Sequence, residues 1–414
     1  MWRLSKPVVA VAMSGGVDSS LACALLVTEG FQVFGITMRI PVESRQALDA
    51  IEDAKKVCDQ IGVPHYCVDL TCEFEKEVVS PFVQAYSLGI TPNPCVICNP
   101  RVKFGHLLQK SLELGADYLA TGHYARAGRV NSKTKEFVEN HEFAVANKDQ
   151  SVEGLSNLLS SRTYLCRGKD KDRDQSYVLY GLDQNMLGRA IFPLGGLTKN
   201  VVREMAGDIG LDVAEKPESQ EICFIAQKNY KDFLSQKRVS PPPGLIVDTS
   251  GRVLGRHSGI TNYTVGQRKG LGIQSSQPLY VIRIDAEENT LVVGTREEAY
   301  ASGCYIHRLN FIMVDQPDSP VTGTCMVRYR GREVEATLYP GSVLAGKAEK
   351  MKEGASRGCE LGCDESDLAF VEFSSPLFAV TPGQSLVFYQ GSYVYGGGTI
   401  LKTVYGCPLD TSGR

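Results

Sequence analysis

The stretch Val8–Ser20 reads VVAVAMSGGVDSS, an apolar run that leads directly into a glycine turn. Consecutive small and β-branched apolar residues predict a buried strand, and the periodic segment Ser19–Glu29 predicts a helix. The adjacent glycines Gly15 and Gly16 let the backbone turn sharply between the two and direct several N–H groups toward one point. Because a helix N-terminus also attracts negative charge, this unit predicts a binding site for an anion such as phosphate.

The alternation of apolar runs with helical periods continues from this unit as far as about Cys223. We predict strands at Val8–Ala12, Phe31–Met38, His65–Asp69 and Tyr118–Thr121, and helices at Ser19–Glu29, Ala47–Ile61 and Arg101–Leu114. Strands separated by helices of about ten to fifteen residues are typical of a parallel sheet covered on both faces. The predicted fold class is therefore α/β with a Rossmann-like sheet, and the polar stretch Arg126–Ser161 is interpreted as a loop or small excursion at its rim.

The chain of 414 residues is too long for one ordinary domain. The helical pattern ends near residue 225, and short strands and turns follow. We predict a catalytic domain at 1–225, a small connecting domain at 226–279 and a third domain at 280–414. In the third, brief strands spaced by glycine turns predict a β-barrel.

Composition limits the class of protein. The net charge of −3 is not that of a globally basic nucleic-acid-binding protein, so any RNA contact would come from local patches. Thirteen cysteines, an odd number, do not indicate a disulfide scaffold. No secretory signal and no stretch of about 18 apolar residues is present. We therefore expect a cytoplasmic protein with reduced thiols and no membrane partner.

The glycine turn lacks the GxxxxGK[ST] pattern of a P-loop and instead resembles the PP-loop of ATP pyrophosphatases. Those enzymes hold the pyrophosphate of ATP and transfer AMP to an oxygen of the substrate. Asp18 fits this interpretation because a carboxylate beside phosphate calls for a bridging Mg²⁺. Met38 matches the adenine-packing position, although it could be a core methionine. The resemblance implies ATP with Mg²⁺ at Ala12, Met13, Ser14, Gly15, Gly16, Val17, Asp18, Ser19 and Met38.

Three cysteines lie in settings that favour reactivity. Cys95 and Cys98 belong to TPNPCVICNPRVKF (Thr91–Phe104), a proline-stiffened loop followed by basic residues, which lower a thiol's pKa. Cys223 lies in a second loop, SQEICFI (Ser219–Ile225), that also follows a proline. The C-x-x-C spacing alone decides nothing in a chain so rich in cysteine. Apolar periodic runs predict that three other cysteines belong to the core: Cys23, Cys304 and Cys325.

These strings, with others along the chain, resemble the tRNA-specific 2-thiouridylase family. The matching segments are Ser14–Ser20, Asn93–Phe104, Ala120–Ala125, Gly168–Tyr177, Ser219–Ile225, Tyr263–Gly272, Val327–Arg330 and Thr381–Tyr389. They span essentially the whole chain in the order of the family. The resemblance implies ATP-dependent replacement of the 2-oxygen of the wobble uridine of tRNA by sulfur.

In that family the thiol matching Cys223 carries a persulfide, and the thiol matching Cys98 is its partner nucleophile. The resemblance implies that AMP transfer turns the uracil 2-oxygen into a leaving group. Sulfur from Cys223 then attacks, and Cys98 releases it by forming a disulfide with Cys223. A sulfur-donor protein, either a sulfur relay protein or a cysteine desulfurase, is the implied partner besides tRNA.

The resemblance also assigns substrate contacts. Gly122 is assigned to ATP and His123 to tRNA. Alternatively, His123 only caps the end of a strand. Asn93, Pro94 and Cys95 would lie beside a flipped-out uridine. Arg328 and Tyr329, which we predict on a barrel strand, suit phosphate contact and stacking. The remaining tRNA contacts implied are Arg173, Asp174, Gln175 and Gln384.

The chain departs from the family pattern at Cys95, where many members have an aspartate that is assigned to the target-base site. Related RNA-thiolating enzymes hold a 4Fe–4S cluster with a C-x-x-C pair and a distant third cysteine. Cys95, Cys98 and Cys223 supply such a set, and an open iron site could deliver sulfur without a persulfide. A cluster and a persulfide-only route therefore both stay open.

Two other classes of function also stay open. A PP-loop ligase that adenylates a small substrate would share Ser14–Ser20 but would not need the three thiols. A non-catalytic iron–sulfur or RNA-binding relative would not need intact Ser14, Asp18 and Ser19.

Overall fold

The computed structural model describes most of the chain. The residues described are 7–41, 45–131, 134–142, 160–216, 222–225, 229–237, 239, 241–343 and 367–406, without the side chains of 45–48. They form two compact units: Met1–Val78 with Cys95–Ala226 and Ser392–Val394, and Val79–Pro94 with Gln227–Gly391 and Tyr395–Arg414. Within the described ranges, no helix is both long enough and apolar enough to cross a membrane.

The first unit contains a five-stranded parallel sheet. The strands of this unit are β1 (Val8–Ala12), β2 (Gln32–Arg39), β3 (His65–Asp69), β4 (Tyr118–Ala120), β5 (Ala125–Val130), β6 (Phe137–Glu139), β7 (Tyr164–Arg167) and β8 (Ala190–Ile191). Five of them form the parallel sheet, and β5 pairs with both β6 and β7 in antiparallel register. The parallel sheet has the order β3-β2-β1-β4-β8. All four strands predicted from the sequence belong to it, and the predicted α/β class is confirmed.

The helices belong to both units, and those at Ser80–Ser87 and Tyr230–Gln236 lie in the second. They are α1 (Val17–Thr28), α2 (Arg45–Ile61), α3 (Thr71–Phe74), α4 (Ser80–Ser87), α5 (Pro94–Cys98), α6 (Leu108–Glu113), α7 (Ser176–Leu179), α8 (Gln184–Arg189), α9 (Lys199–Asp208) and α10 (Tyr230–Gln236), with π-helical segments at Glu75–Val79 and Asn99–Leu107. The predicted helix Arg101–Leu114 is thus a π-helical segment continued by α6. Such wide turns are often found at functional sites.

The core of the first unit explains the position of the glycine turn. Both faces of β1 are covered, and Val9 and Val11 are fully buried, as expected for a central parallel strand. They pack with Leu21 and Leu26 of α1 and with Val202 of α9 in one cluster. This packing fixes the ends of β1 and α1, and with them the turn that joins them.

For Arg126–Ser161 the sequence predicts a loop or a small excursion, and of these alternatives the described part is a small excursion that contains most of β5 and all of β6. These two strands pair in antiparallel register with Gly128 opposite Glu139. β7 pairs with the other edge of β5. Gly128 permits the close approach, because a Cβ there would lie 2.2 Å from the Val138 carbonyl oxygen. The rest of this stretch, 143–159, is outside the described residues.

The long segment of the second unit, Gln227–Gly391, starts with α10. This helix is not predicted from the sequence because it is only seven residues long. Asn229 caps it, since its side chain accepts a hydrogen bond from the Asp232 N–H. A four-stranded sheet follows, with the order β10-β9-β12-β11. Its strands are β9 (Gly244–Asp248), β10 (Val253–His257), β11 (Tyr280–Asp285) and β12 (Thr290–Gly294).

The remaining strands of the second unit close into a six-stranded barrel, which confirms the predicted barrel. The strands are β13 (Tyr300–Phe311), β14 (Val321–Met326), β15 (Val334–Pro340), β16 (Leu368–Phe378), β17 (Ser385–Gln390) and β18 (Tyr393–Tyr405). They run in the order β13-β16-β15-β14-β17-β18, and β18 pairs back onto β13. Cys304 and Cys325 are fully buried in the barrel core and Cys23 in the first unit, as predicted.

Candidate active site

The glycine turn between β1 and α1 is held by its own side chains. The Ser14 N–H donates a hydrogen bond to Ser19 Oγ (3.1 Å), which in turn donates to the Gly16 carbonyl (3.1 Å). Gly15 has φ +69°, and a Cβ there would lie 2.4 Å from the Ala50 carbonyl oxygen. Only glycine fits this position, so the turn keeps a shape in which the N-terminus of α1 is open to an anion.

Asp18 lies in the first turn of α1 and is paired with a lysine. Its Oδ1 accepts hydrogen bonds from Lys199 Nζ (2.6 Å) and from the Tyr124 hydroxyl (2.7 Å). The Lys199 side chain is 8% exposed and the Asp18 side chain 31%. From the sequence, Asp18 is assigned to Mg²⁺, and neither of these partners is predicted. Their arrangement places an ammonium group beside the turn, where it can neutralise phosphate charge.

A second lysine, also distant in sequence, contacts the turn. Lys216 Nζ donates to the Gly15 carbonyl (2.9 Å) and to Asp53 Oδ2 (2.6 Å). It therefore fixes the carbonyl of the residue that has positive φ. Lys216 was also missed, because nothing in its local sequence distinguishes it.

Gly122 follows β4 and lies against the turn. A Cβ on Gly122 would be 2.8 Å from the backbone carbon of Asp18 and 2.8 Å from the nitrogen of Ser19. The next residue, His123, is buried, and its Nδ1 is 2.7 Å from Thr121 Oγ1. Burial lowers the pKa of His123 well below its usual value, and the charge of Lys103 acts in the same direction. This lowered pKa favours the neutral imidazole, and the tRNA contact of His123 stays a prediction.

The predicted nucleotide residues gather at one edge of the sheet. Ala12 is the last residue of β1, and Met13 follows it. Met38 is near the end of β2 opposite Val68 of β3, and Gly122 follows β4. These are carboxyl ends of adjacent parallel strands, the edge at which α/β proteins bind ligands. Met38 is partly buried and not a core residue.

The reactive-cysteine region is built on α5 and the π-helical segment that follows it. Cys95 is exposed at the second position of α5, whereas Cys98 at its end is buried. Asn99 anchors the junction, since its Nδ2 donates to the Val178 carbonyl (2.8 Å). Cys223 belongs to a short described segment and is exposed; Pro217–Glu221 of the same predicted loop lie outside the described residues.

The three thiols and Lys103 interact electrostatically. Burial raises the pKa of Cys98 to about 12; Lys103 opposes this shift, and Cys223 and Cys95 reinforce it. Although part of the Cys223 side chain is exposed, desolvation by the protein atoms around the thiol also raises its pKa, and the charge of Lys103 again opposes the shift. For Cys98, the expectation that basic neighbours would lower the thiol pKa is therefore wrong for the net shift, because desolvation exceeds the effect of the single lysine.

Alkylation with iodoacetamide, followed by peptide mass spectrometry, tests this ordering. At about pH 7.5 we expect exposed Cys95 to be modified well before buried Cys98, because the thiolate is the reactive form. Since its pKa is raised, labelling of Cys223 should increase about tenfold per pH unit between about pH 7 and 9. Lys103→Met should slow labelling of Cys223, and Lys103→Arg should not. Equal alkylation rates for Cys95 and Cys98 would contradict the burial of the Cys98 side chain.

The metal site predicted on the three thiols has no counterpart in the described part of the chain. Among the described residues, no group of three or more His, Cys, Asp or Glu side chains could hold a metal ion. The ten cysteines that the structure describes also form no disulfide, so Cys98 and Cys223 are not joined. A 4Fe–4S cluster on Cys95, Cys98 and Cys223 stays a prediction from the sequence.

The string Arg173-Asp174-Gln175, predicted to contact tRNA, is tied to the first unit. Asp174 Oδ1 accepts from the N–H groups of Gly168 (2.9 Å) and Ser176 (3.1 Å). Gln175 Oε1 accepts from the Tyr124 N–H (2.9 Å). Gln175 thus braces the segment that carries Tyr124, the hydroxyl partner of Asp18, while Asp174 fixes the turn between Gly168 and Ser176.

In the second unit, Arg328 and Tyr329 are not on a barrel strand, so that prediction is wrong. β14 ends at Met326 and β15 begins at Val334, which places both residues in the connecting turn. Arg330 has φ +55°, and the Gly331 N–H donates to the Arg328 carbonyl (3.0 Å). The turn projects Arg328 and Arg330 into solvent, and the Arg330 guanidinium lies 5.2 Å from the Tyr329 ring centroid.

Gln384 has an internal partner in the second unit. Its Nε2 donates to the Thr91 carbonyl (2.8 Å), two residues before Asn93, a predicted base-pocket residue. Asn93 is partly buried and Pro94 is buried. The sequence analysis had assigned Gln384 to tRNA by resemblance only.

Models of protein families match three consecutive parts of the chain. The tRNA methyl transferase HUP domain matches residues 7–227, the tRNA methyl transferase PRC-barrel domain 231–295 and the aminomethyltransferase beta-barrel domain 347–400. Fold and site together thus define an α/β protein with a PP-loop-like turn, joined to two β-domains.

Relatives of nearly the same length identify the family. The tRNA-specific 2-thiouridylase MnmA of Halothermothrix orenii is 40% identical over 402 residues, which cover 95% of this chain and 98% of the relative. MnmA 1 of Caldanaerobacter subterraneus subsp. tengcongensis is 42% identical over 407 residues, covering 96% and 98%. The chain therefore belongs to the tRNA-specific 2-thiouridylase family.

Proposed function

We propose that this protein is an enzyme that uses ATP to replace the 2-oxygen of the wobble uridine of tRNA with sulfur. The observation that carries the proposal is that one α/β unit, in a chain of this family, holds both the PP-loop-like turn and three interacting thiols. A ligase that adenylates a small substrate would need only the first of these. A binding protein without catalysis would not need the buried lysine beside Asp18.

The ATP step is assigned to the turn between β1 and α1. The backbone from Ser14 to Ser19 and the N-terminus of α1 bind the pyrophosphate portion. Lys199 adds positive charge, and Asp18 is the residue that would hold Mg²⁺ there, in exchange for its bond to Lys199. Gly122 and Met38 border the nucleotide. The uracil 2-oxygen attacks the α-phosphorus, pyrophosphate leaves, and the oxygen becomes part of a good leaving group.

The sulfur step is assigned to Cys223 and Cys98. A sulfur-donor protein loads Cys223 as a persulfide, whose terminal sulfur attacks C2 of the adenylated uracil and displaces AMP together with the former 2-oxygen. The thiolate of Cys98 then attacks Cys223 Sγ, which breaks the bond to the transferred sulfur and forms a Cys98–Cys223 disulfide. An external thiol reductant restores both cysteines, so such a cycle requires the reducing cytoplasm.

The tRNA contacts are assigned to both units. In the first, His123 and Arg173 to Gln175 are proposed to border the substrate; in the second, the exposed Arg328 and neighbouring Tyr329 are suited to phosphate contact and stacking. Asn93, Pro94 and Cys95 are proposed to receive the extruded uridine, because chemistry on a base requires that it leave the stack.

The proposal is tested by incubating the purified protein with unmodified tRNA, Mg²⁺-ATP, a persulfide donor and a reductant. We expect 2-thiouridine in the digested tRNA, with one AMP and one pyrophosphate released for each sulfur transferred. AMP formation that depends on a small carboxylic or amide substrate, without tRNA, would support a different ligase. Tight tRNA binding without AMP formation would support a non-catalytic protein.

Anaerobic purification with iron and sulfide analysis separates the two routes of sulfur delivery. Full activity in iron-free protein, retained in Cys95→Asp, is expected for the persulfide route described above. About four irons per chain, with activity that follows iron content and is lost in Cys95→Asp, would instead assign Cys95, Cys98 and Cys223 to a 4Fe–4S cluster.

A further inference from the structure

The structure contains a contact that none of the predicted tRNA roles explains. The turn Thr381–Gln384, between β16 and β17, grips the segment Ile90–Thr91 at three points. Gln384 Nε2 donates to the Thr91 carbonyl (2.8 Å), and the Thr91 N–H donates to the Pro382 carbonyl (3.3 Å). Gly383 lies against Ile90, so closely that a Cβ on Gly383 would be 2.1 Å from Ile90 Cγ2.

The turn is itself fixed to the barrel. The Gly383 N–H donates to the Ile400 carbonyl (2.9 Å), and the Ile400 N–H donates to the Gln384 carbonyl (2.8 Å). Ile400 belongs to β18 and is buried in the barrel core. Because β18 closes the barrel, the turn is a rigid support and not a loop that can follow movements of the segment it holds.

The segment that is held leads directly to the predicted base pocket. Thr91 is followed by Pro92, Asn93 and Pro94, and α5 begins at Pro94. Two prolines in four residues restrict φ and leave little freedom between Thr91 and Asn93. A displacement of Thr91 is therefore transmitted to Asn93 and to the start of α5.

We propose that Gln384 and Gly383 are positioning residues, through which the barrel sets the place of the base-pocket segment Asn93–Pro94. The proposal rests on the proposed function for the identity of the substrate. It assigns to Gln384 a role that a tRNA contact alone would not give it, namely control of the chemical step through Thr91.

Gln384→Leu tests this role, because it removes the donor to Thr91 and keeps the side-chain bulk. We expect single-turnover thiolation at saturating tRNA to fall about tenfold, since misplacement of a reacting group slows the reaction. The Kd for tRNA should change less than about twofold. Thr381→Val is the matched control and should behave as wild type. Among the described residues, the Thr381 hydroxyl donates to the nearby Ala379 carbonyl (2.9 Å) and not to the segment Ile90–Thr91.

Gly383→Ala is an independent test, because it adds no group that could bind RNA and removes none. Its Cβ would push against Ile90, so the thiolation rate should again fall with little change in the Kd for tRNA. Ile90→Ala in the same chain removes the contacted methyl group and should restore part of the rate. Gly383 has φ +89°, so the recovery should be incomplete.

A third measurement does not depend on activity. The alkylation rate of Cys95, one residue beyond Pro94, should change in Gln384→Leu and in Gly383→Ala, whereas that of exposed Cys72 should not. A raised Kd for tRNA with an unchanged single-turnover rate and unchanged Cys95 labelling would overturn the proposal and leave Gln384 as an RNA contact. Wild-type protein that forms no 2-thiouridine would refute the proposed function, while the labelling result would still decide the positioning role.

Discussion

Replacement of Cys223 with serine is expected to lower the rate of tRNA thiolation at least about a thousandfold, because a hydroxyl can neither carry a persulfide nor act as an equivalent nucleophile. Cys98→Ser should have a similar effect on multiple turnover. Both variants should still form AMP or pyrophosphate in the presence of tRNA and ATP, since the turn between β1 and α1 is intact. The measurement pairs quantification of 2-thiouridine with pyrophosphate release.

Cys72→Ser provides the matched control for these variants. Cys72 is an exposed cysteine in the same unit, outside the proposed site, so its replacement should leave the rate unchanged within about twofold. If Cys223→Ser thiolated tRNA at the wild-type rate, the sulfur could not travel through Cys223. Loss of pyrophosphate release together with thiolation would indicate that the variant had damaged the ATP step instead.

Gly122→Ala is expected to lower AMP formation about a hundredfold while the protein still folds. The new Cβ would lie 2.8 Å from backbone atoms of both Asp18 and Ser19, and no side-chain rotation can relieve an overlap with backbone. The turn or the end of β4 must therefore shift. A shift of about 1 Å in groups that position the reacting phosphate can cost about a hundredfold in rate. ATP affinity by calorimetry and AMP formation by chromatography measure the effect.

Gly207→Ala separates this local effect from a general effect of alanine. Gly207 lies inside α9, the helix that carries Lys199, and a Cβ there would meet nothing within 4 Å. We expect unchanged AMP formation and a free energy of unfolding raised by about 0.5–1 kcal/mol, since alanine favours the helix. If Gly122→Ala bound ATP and formed AMP as the wild type does, the close approach of the end of β4 to the turn would not be required for the ATP step.

The sequence was sufficient for several elements of the site. The apolar run of β1, the glycines after it and the helix after them are consecutive, so local pattern predicted this strand–turn–helix unit correctly. The same holds for the parallel sheet implied by alternating strands and helices, and for the barrel. Anion binding at the turn stays a prediction. Arg328 and Tyr329 were misplaced because alternation of charged and aromatic residues suits a strand as well as a turn. The positive φ of Arg330 (+55°), seen only in the folded structure, shows that a turn forms here.

The partners of Asp18 could not be predicted in this way. Lys199 is 181 residues away and Tyr124 is 106 residues away, and neither stands in a pattern that points to Asp18. Tyr124 belongs to a string that resembles the family, which drew attention to the segment but not to the hydroxyl. Lys199 begins α9, whose packing against α1 brings the ammonium group to the turn.

Sequence by itself determined the class of fold, the location of the nucleotide turn, the candidate thiols and the family, because each depends on residues that are adjacent or are set at fixed spacing. Only the tertiary structure decided that Asp18 is bound to Lys199, that Cys98 is buried while Cys95 is exposed, and that Gln384 holds Thr91. The physical reason is that burial, and the pKa shifts that follow from it, depend on which distant segments cover a group. Local pattern specifies the elements, whereas packing between them sets the charge and position of the groups that react.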